Sequence, residues 1–214
     1  MKLSVAVFTA FVASAASFTP SSYQQQHRMA TTLFGRKAFI TGNWKLNPAT
    51  KDEAVSLATT IADSVTSKSP GDVALFVPFP YLEAVHQAVK GKVTIGAECI
   101  TPEDGGAFTG GVSASMLKSL GIEWALAGHS ERRTINRETD EDINKQCLKL
   151  IQNGMNVVLC IGETLEEFEK KLVGAVCEVQ LKKNLAGVSA EDMKKSNHCL
   201  RACLGYRNRK SCYT

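Results

Sequence analysis

The sequence predicts an α/β fold in which helices cover a sheet of parallel strands. Five short segments are almost continuously apolar, as strands buried on both faces are. Each is followed by a segment with apolar residues at helical spacing, and breakers such as Pro70-Gly71 separate the segments. This regular alternation of strand and helix is typical of parallel sheets.

The predicted elements run in one order through residues 37–195. The strands are Ala38–Ile40, Val73–Val77, Val93–Ala97, Trp124–Ala127 and Asn156–Ile161. The helices that follow them are Asp52–Val65, Tyr81–Val89, Ser113–Leu120, Asp140–Gly154 and Leu165–Leu185.

Composition indicates an ordinary globular chain of 214 residues, 44% hydrophobic and 21% charged, and length favours one domain. The net charge of +4 comes from the two ends. Residues 1–37 hold four basic groups and residues 194–214 hold six, without an acid, while the rest holds 15 basic against 21 acidic groups. A basic balance confined to the ends does not indicate a nucleic-acid partner, although a basic-tailed nucleic-acid binder stays open as a weaker alternative.

The seven cysteines do not predict a disulfide framework, because their number is odd and their spacing irregular. Cys147, Cys160 and Cys177 lie in apolar periodic segments, where a thiol behaves as a small hydrophobe. A metal site in the tail is an alternative, but its residues match no strong zinc spacing: His198, Cys199, Cys203 and Cys212. We therefore expect no metal site.

The first 36 residues read as a targeting leader. A basic start and a short apolar run before small residues predict a signal peptide over residues 1–17, with a buried element of the mature domain as the alternative. Residues 18–36 are basic, hydroxyl-rich and free of acids, which is typical of a transit peptide. Together they resemble the bipartite leader of plastids with extra membranes. We expect plastid localisation, with the cytoplasm or the secretory pathway as alternatives.

The segment Trp124–Ala127 delivers Gly128 and His129 at the end of a predicted strand. In parallel α/β folds the carboxyl ends of strands are where chemistry is placed. A structural histidine followed by solvated charges is the alternative for this residue taken alone.

Four motifs at successive strand ends carry a family resemblance. They are Gly42–Asn47, Gly106–Gly110, Ala127–Arg133 and Cys160–Thr164. In this order they closely resemble triosephosphate isomerase, a (β/α)8 TIM barrel, over residues 37–195. The chain as written supplies about five of the eight strand–helix units.

The resemblance implies proton transfer between adjacent carbons of a triose phosphate, without a cofactor. It implies that His129 is the neutral electrophile that donates to the substrate carbonyl, as in that family. It also implies that Lys45 places a cation beside the oxyanion and the phosphate, and that Asn43 holds a substrate oxygen. Glu131 matches a family carboxylate beside the site, and its role stays open.

A homodimer is also implied by resemblance. The loop with Phe108 and Thr109 resembles the family loop that inserts into the second subunit. The family's glutamate after this loop is Gly111 here, so an ion pair at the interface or beneath the loop is expected to be missing.

The family motif that carries the catalytic glutamate does not occur in the chain. Residues 196–214 form instead a tail rich in Cys, Arg and Asn with no strand or helix pattern. One allowed codon set for Asn197–Thr214, read one nucleotide later, gives Ile-Ile-Ala-Tyr-Glu-Pro-Val-Trp-Ala-Ile-Gly-Thr-Gly, which is that motif. We therefore predict a one-nucleotide frame slip near Ser196, with the glutamate codon spanning Arg201 and Ala202.

The consequence expected of this tail is an open barrel. Five of eight strands leave unpaired edges, so we expect poor stability and almost no isomerase activity. The leading interpretation is an isomerase sequence by family. The alternative is a catalytically dead fragment that acts, if at all, through dimerisation with intact subunits.

Overall fold

The computed structural model describes residues 38–69, 71–195 and 200–204. The predicted leader over residues 1–17 and 18–36 lies outside the described residues. So do the tail residues named for a possible metal site, His198, Cys199 and Cys212.

A single parallel sheet organises the described chain. Its strands stand side by side in sequence order, and every neighbouring pair is parallel. They are β1 (Ala38–Asn43), β2 (Gly71–Val77), β3 (Thr94–Ala97), β4 (Trp124–Ala127), β5 (Asn156–Ile161) and β6 (Leu200–Leu204). The predicted α/β class is confirmed, and all five predicted strands are present.

Helices connect the strands, as parallel pairing requires. A 3₁₀ turn over Phe79–Tyr81 follows β2 and leads into the second helix. The described helices are α1 (Lys51–Ser64), α2 (Leu82–Val89), α3 (Ala114–Ser119), α4 (Ser130–Thr134), α5 (Asp140–Gln152), α6 (Leu165–Glu169), α7 (Val173–Asn184) and α8 (Ala190–Lys195).

The two faces of the sheet belong to two separate apolar clusters. Leu75 and Val77 of β2 belong to the larger cluster, which also contains the buried stripes of α1, α2, α3 and α5. Ala74 and Phe76 alternate with them and join the smaller cluster on the other face. Since successive side chains of a strand point to opposite faces, this alternation explains why these strands are apolar along their whole length.

Helix starts follow local capping chemistry. The side chains of Thr50, Thr139 and Thr164 each accept from the backbone N–H three residues on. The acidic side chain at that position in turn accepts from the backbone N–H of the threonine. Such capping boxes satisfy N–H groups that a helix start leaves without intrahelical partners. The threonines therefore fix where α1, α5 and α6 begin.

The prediction of one helix over Leu165–Leu185 was wrong. Two helices occupy this range, α6 and α7, with a break at Lys170–Leu172. Lys171 has φ +59°, a left-handed conformation that an α-helix cannot continue through. The apolar residues continue across this break, so periodicity alone did not reveal it.

The tail, whose sequence shows no strand alternation, nevertheless contains a strand. Leu200–Leu204 forms β6 and pairs in parallel register with Val157–Ile161 of β5. Strand pairing uses backbone N–H and C=O groups, which every non-proline residue carries, and the edge of β5 is a template for it. A short segment with apolar ends can therefore pair without sequence alternation.

Within the described ranges, no helix is both long enough and apolar enough to span a bilayer.

Candidate active site

The polar residues singled out from the sequence meet at one edge of the sheet. Asn43 ends β1 and Lys45 follows it, while His129 comes two residues after β4. Glu98 directly follows β3 and Glu163 follows β5. The carboxyl ends of parallel strands lie at the same edge, which is where such folds carry their sites.

Lys45 is held in an uncommon backbone conformation. Trp44 N–H donates to Phe76 O of β2 at 2.9 Å, which extends the strand pairing beyond Asn43. Lys45 has φ +54°, and its own N–H donates to Asn43 Oδ1 at 2.9 Å. A left-handed non-glycine residue is strained and persists only where its surroundings hold it. Asn43 therefore fixes the direction in which Lys45 leaves the strand.

The Lys45 side chain reaches across the strand ends to Glu131. Its Nζ donates to Glu131 Oε1 at 2.8 Å. Glu131 lies in α4 after β4, three strands from β1, a separation of roughly 14 Å at the usual strand spacing in a flat sheet. The curled sheet and the long lysine side chain together close this gap. Both side chains are partly exposed, so the pair contributes little stability but places the ammonium over the edge.

His129 is presented as a neutral imidazole. It caps α4, and its Nδ1 accepts from Glu131 N–H at 3.3 Å, so in the neutral ring the proton is on Nε2. Burial lowers the pKa of His129 and Lys45 lowers it further, while Glu131 raises it. Glu131 Oε2 lies 3.6 Å from Nδ1, but this is no ion pair, because Nδ1 is an acceptor here. The Nε2–H group is left available as a donor.

Arg133 braces the turn that carries His129. Its Nε donates to Gly128 O at 2.8 Å, and its terminal nitrogens donate to Asp140, Asn184 and the carbonyl of Cys160. Asn184 also donates to Asp140 Oδ1 at 2.8 Å. One guanidinium thus joins the ends of β4 and β5 to α5 and α7. We call Arg133, Asp140 and Asn184 the Arg133 cluster.

The close approach of Arg133 explains the glycine before His129. Gly128 has φ +73°, and a Cβ there would lie 2.9 Å from Arg133 and 3.0 Å from Cys160 O. Both the conformation and the space therefore require glycine.

A second ion pair, partly buried, lies beside this turn. Arg132 donates to Glu138 Oε1 from Nε at 2.9 Å and from a terminal nitrogen at 2.5 Å. Glu138 is largely buried, and its Oε2 has no hydrogen-bond partner among the described residues.

Glu98 is a site residue that the sequence analysis missed. Burial raises its pKa to about 7, against the lowering effect of the Lys45 backbone N–H, and Glu131 adds to the rise. Its Oε1 is buried without a hydrogen-bond partner in the described structure. Its position at a strand end could have identified it, because Glu98 directly follows β3, just as Asn43 ends β1 and His129 lies two residues after β4. We call Lys45, Glu98 and Glu131 the Lys45 cluster.

The predicted dimer loop stands apart from these residues. It follows β3, and both Phe108 and Thr109 are exposed, Phe108 by 49%. Gly111 lies against Thr101, whose Oγ1 would be 2.6 Å from a Cβ at that position. Thr101 thus fills the space where the family glutamate would begin.

At the fifth strand end, Gln180 clamps the chain. Its side-chain amide both accepts from Gly162 N–H at 2.8 Å and donates to Gly162 O at 3.0 Å. This fixes the segment from which the largely buried Glu163 extends.

The edge offers cations and donors rather than a metal cage. Among residues 38–69, 71–195 and 200–204, no group of three or more His, Cys, Asp or Glu could hold a metal ion. The arrangement suits an oxyanion, with Nε2–H of His129 and the ammonium of Lys45 at one edge.

Comparison with known proteins agrees with this geometry. The triosephosphate isomerase family model matches residues 38–197. The triosephosphate isomerase of Carboxydothermus hydrogenoformans is 45% identical over 157 residues, which are 73% of this chain and 62% of that protein. That of Alkaliphilus oremlandii is 42% identical over 159 residues, 74% of this chain and 63% of that protein. The chain thus spans less than two thirds of these relatives. Because the family model matches most of its length, the chain belongs to the triosephosphate isomerase family.

Proposed function

We propose that the edge formed by β1, β3 and β4 binds a triose phosphate and takes part in the interconversion of dihydroxyacetone phosphate and glyceraldehyde 3-phosphate. The observation that carries this proposal is His129, whose Nδ1 accepts a backbone bond and whose Nε2–H has no partner among the described residues, with Lys45 close enough to lower its pKa. The relatives that carry the isomerase name support it. The pathways that use this reaction are glycolysis, gluconeogenesis and carbon fixation.

The reaction requires a hydrogen-bond donor that suits an enediolate. A carbon-bound proton leaves to a base, and the electron pair moves onto the carbonyl oxygen. His129 donates to this oxygen through Nε2–H, and a neutral imidazole matches it better than an imidazolium, which would give up its proton. Burial keeps the pKa of His129 low and so maintains this donor.

Lys45 and Asn43 act as the binding groups. Lys45 supplies a positive charge that attracts the phosphate and the developing oxyanion. Asn43 Oδ1 accepts from Lys45 N–H, so the amide NH2 of Asn43 is oriented to donate to a substrate oxygen. The Lys45–Glu131 pair must loosen when an anion arrives, because both would compete for the same ammonium.

Substrate binding can be tested separately from turnover. Dihydroxyacetone phosphate, added to the labelled chain, is expected to shift the NMR signals of Lys45, His129 and Asn43. Glycerol, which lacks the phosphate, is the matched control ligand, and Lys45→Met is expected to weaken binding more than tenfold. Equal shifts with glycerol, or none with either, contradict the proposal.

We further propose that the 214-residue chain has almost no isomerase activity of its own. The family match ends at residue 197 although the chain continues to 214, and the family's glutamate motif is readable only in the shifted frame. Without a base, the proton on carbon is not removed. An isomerase assay showing turnover like that of the full-length relatives contradicts this, and genomic and transcript sequence across Ser196 tests the frame slip.

A role through dimerisation is the second candidate function. The exposure of Phe108 supports it, since an exposed phenylalanine at a loop tip suits insertion into another subunit. Sedimentation should then show a dimer, or a hybrid with intact subunits, that Phe108→Ser dissociates and Leu57→Ser does not. A monomer at all concentrations contradicts it.

We propose, finally, that residues 1–36 direct the protein to a plastid. Residues 1–36 fused to a fluorescent protein should localise there in a cell with complex plastids, and residues 18–36 alone should not. Retention of the full fusion in the cytoplasm contradicts the proposal.

A further inference from the structure

Glu98 is a carboxyl that the proposed reaction does not use, although it lies within the site. It follows β3, between the strand end that carries Lys45 and the one that leads to His129 and Glu131. The best-formed hydrogen bond of Lys45 N–H goes to Asn43 Oδ1, and the same N–H lies close enough to Glu98 to favour its charged form. Glu98 therefore contacts the residue whose conformation sets the direction of the ammonium.

The charge balance around Glu98 is uneven. Glu131 of the β4–α4 turn is the charged side chain that acts on Glu98, while Arg132 and Glu138 act on Cys99, the neighbour of Glu98 in the chain. The ammonium of Lys45 is already paired with Glu131 at 2.8 Å, and the guanidinium of Arg132 with Glu138. A charged Glu98 would thus be a further negative group without a cation of its own.

The hydrogen bonding of Glu98 points the same way. Its Oε1 is buried with no partner in the described structure, and an unpaired charged oxygen costs much more to bury than a neutral one. The neutral acid is therefore the form that fits the folded site, and burial and Glu131 raise its pKa to about 7.

We propose that Glu98 is a positioning residue for Lys45, and that the proton on its carboxyl controls how well this edge accepts a dianionic phosphate group. This inference rests on the proposed function, since it concerns the same anion. When Glu98 is neutral, Lys45 faces one carboxylate, and an incoming dianion has to displace only Glu131. When Glu98 is charged, the dianion meets a second carboxylate, and the Lys45 N–H that Asn43 Oδ1 accepts from is attracted to a charged oxygen as well.

The other titratable groups do not produce this effect. His129 has a lowered pKa, so it is already neutral as the pH rises through 7. Burial raises the pKa of Cys99 above its usual value, so it stays a thiol. A change near pH 7 at Lys45 therefore reports on Glu98.

The test measures Lys45 without a ligand and then with sulfate, a dianion whose charge does not change between pH 6 and 8.5. In the full chain, the Lys45 amide signal should shift in one step near pH 7. Sulfate binding at constant ionic strength should weaken about threefold to tenfold from pH 6 to 8.5, as expected for one added negative charge nearby. In Glu98→Gln the step should vanish, and the affinity should change less than about twofold.

Glu123→Gln is the matched control, because Glu123 is exposed at the opposite edge, before β4. It should leave both curves unchanged. Glu131→Gln is the second variant, in case Glu98→Gln fails to fold. Because Glu131 raises the pKa of Glu98, its removal should move the Lys45 step to lower pH.

The outcomes separate the two proposals. A Lys45 signal that does not change between pH 5.5 and 8.5, or a step that persists in Glu98→Gln, overturns the inference. Sulfate binding that is independent of Glu98 overturns the inference and leaves the proposed function standing. A Lys45 step without sulfate binding at any pH overturns the proposed anion site and this inference together.

Discussion

The two clusters beside the β4–α4 turn differ in how completely their charged groups are paired. In the Arg133 cluster, one guanidinium donates in four directions, and the acid that it meets is also bonded by Asn184. In the Lys45 cluster, the ammonium of Lys45 pairs with Glu131 and its backbone N–H contacts Glu98, whose buried Oε1 has no partner in the described structure. The fully bonded Arg133 cluster holds the turn that carries His129 in place. The Lys45 cluster, in which a buried carboxyl oxygen lacks a partner among the described residues, can respond to an anion or a proton.

The largest effect is expected from the Arg133 cluster. Arg133→Leu should lower the free energy of unfolding by about 3–5 kcal/mol, because it removes the cation that pairs with Asp140 and the donor that bonds the carbonyls of Gly128 and Cys160. Urea denaturation measures this. Lys92→Ala, which removes an exposed pair with Asp63, should cost less than about 1 kcal/mol. Equal costs for the two variants would contradict the burial and bonding described for the Arg133 cluster.

Glu98→Gln should change how stability depends on pH. Folding raises the pKa of Glu98 from 4.5 to about 7, so its stabilising contribution is complete below pH 4.5 and is lost as the pH rises through 7. The free energy of unfolding of the variant minus that of the parent should therefore increase by about 1–2 kcal/mol from pH 5 to pH 8.5, after allowance for the partial exposure of Glu98. Thermal unfolding at both pH values measures this, and parallel curves for parent and variant would contradict it.

The cap of α5 should matter because this helix presents Asp140 to Arg133. Thr139→Ala removes the acceptor for Asp142 N–H and should cost about 1 kcal/mol. Thr164→Ala removes the same kind of cap from the five-residue α6, which buries no residue, and should cost less than about 0.5 kcal/mol. Urea denaturation of both variants measures the difference, and the opposite order would contradict it.

The smallest stability effect is expected at Glu131. Its pair with Lys45 is partly exposed, so Glu131→Gln should cost less than about 0.5 kcal/mol. Glu131 also raises the pKa of His129 against the effect of burial, so the variant should lower that pKa further. An NMR titration of the His129 ring measures the change. A rise in the pKa would contradict the described environment, and Glu123→Gln should have no effect.

The sequence predicted the five strands and the helices between them because each has a local signal. The strands are apolar on both faces, and Thr50 and Thr139 mark helix starts by their side chains. The break at Lys171 and the strand Leu200–Leu204 had no such signal. The left-handed conformation of Lys171 depends on how the flanking helices α6 and α7 pack, and the strand Leu200–Leu204 depends on pairing with the backbone of β5.

For the site, the sequence identified candidate residues but not the contacts between them or their burial. Strand-end position selected Asn43, Lys45 and His129, and the roles of these residues came with the family resemblance and remain predictions. Glu98 was overlooked although the same rule selects it, because a glutamate after an alanine carries no sign that its oxygen will be buried. The bracing of Gly128 by Arg133 was equally hidden, since it joins residues from four elements.

The sequence by itself determined the parallel α/β order, the family and the chemical groups at the strand ends, because these depend on local pattern and residue type. Only the tertiary structure decided which nitrogen of His129 is the donor, which carboxylate pairs with Lys45, and which carboxyl is left unmatched. Those outcomes depend on burial and on distances of a few ångströms between segments far apart in the chain. Such distances exist only once the sheet has curled and its strand ends have been brought together.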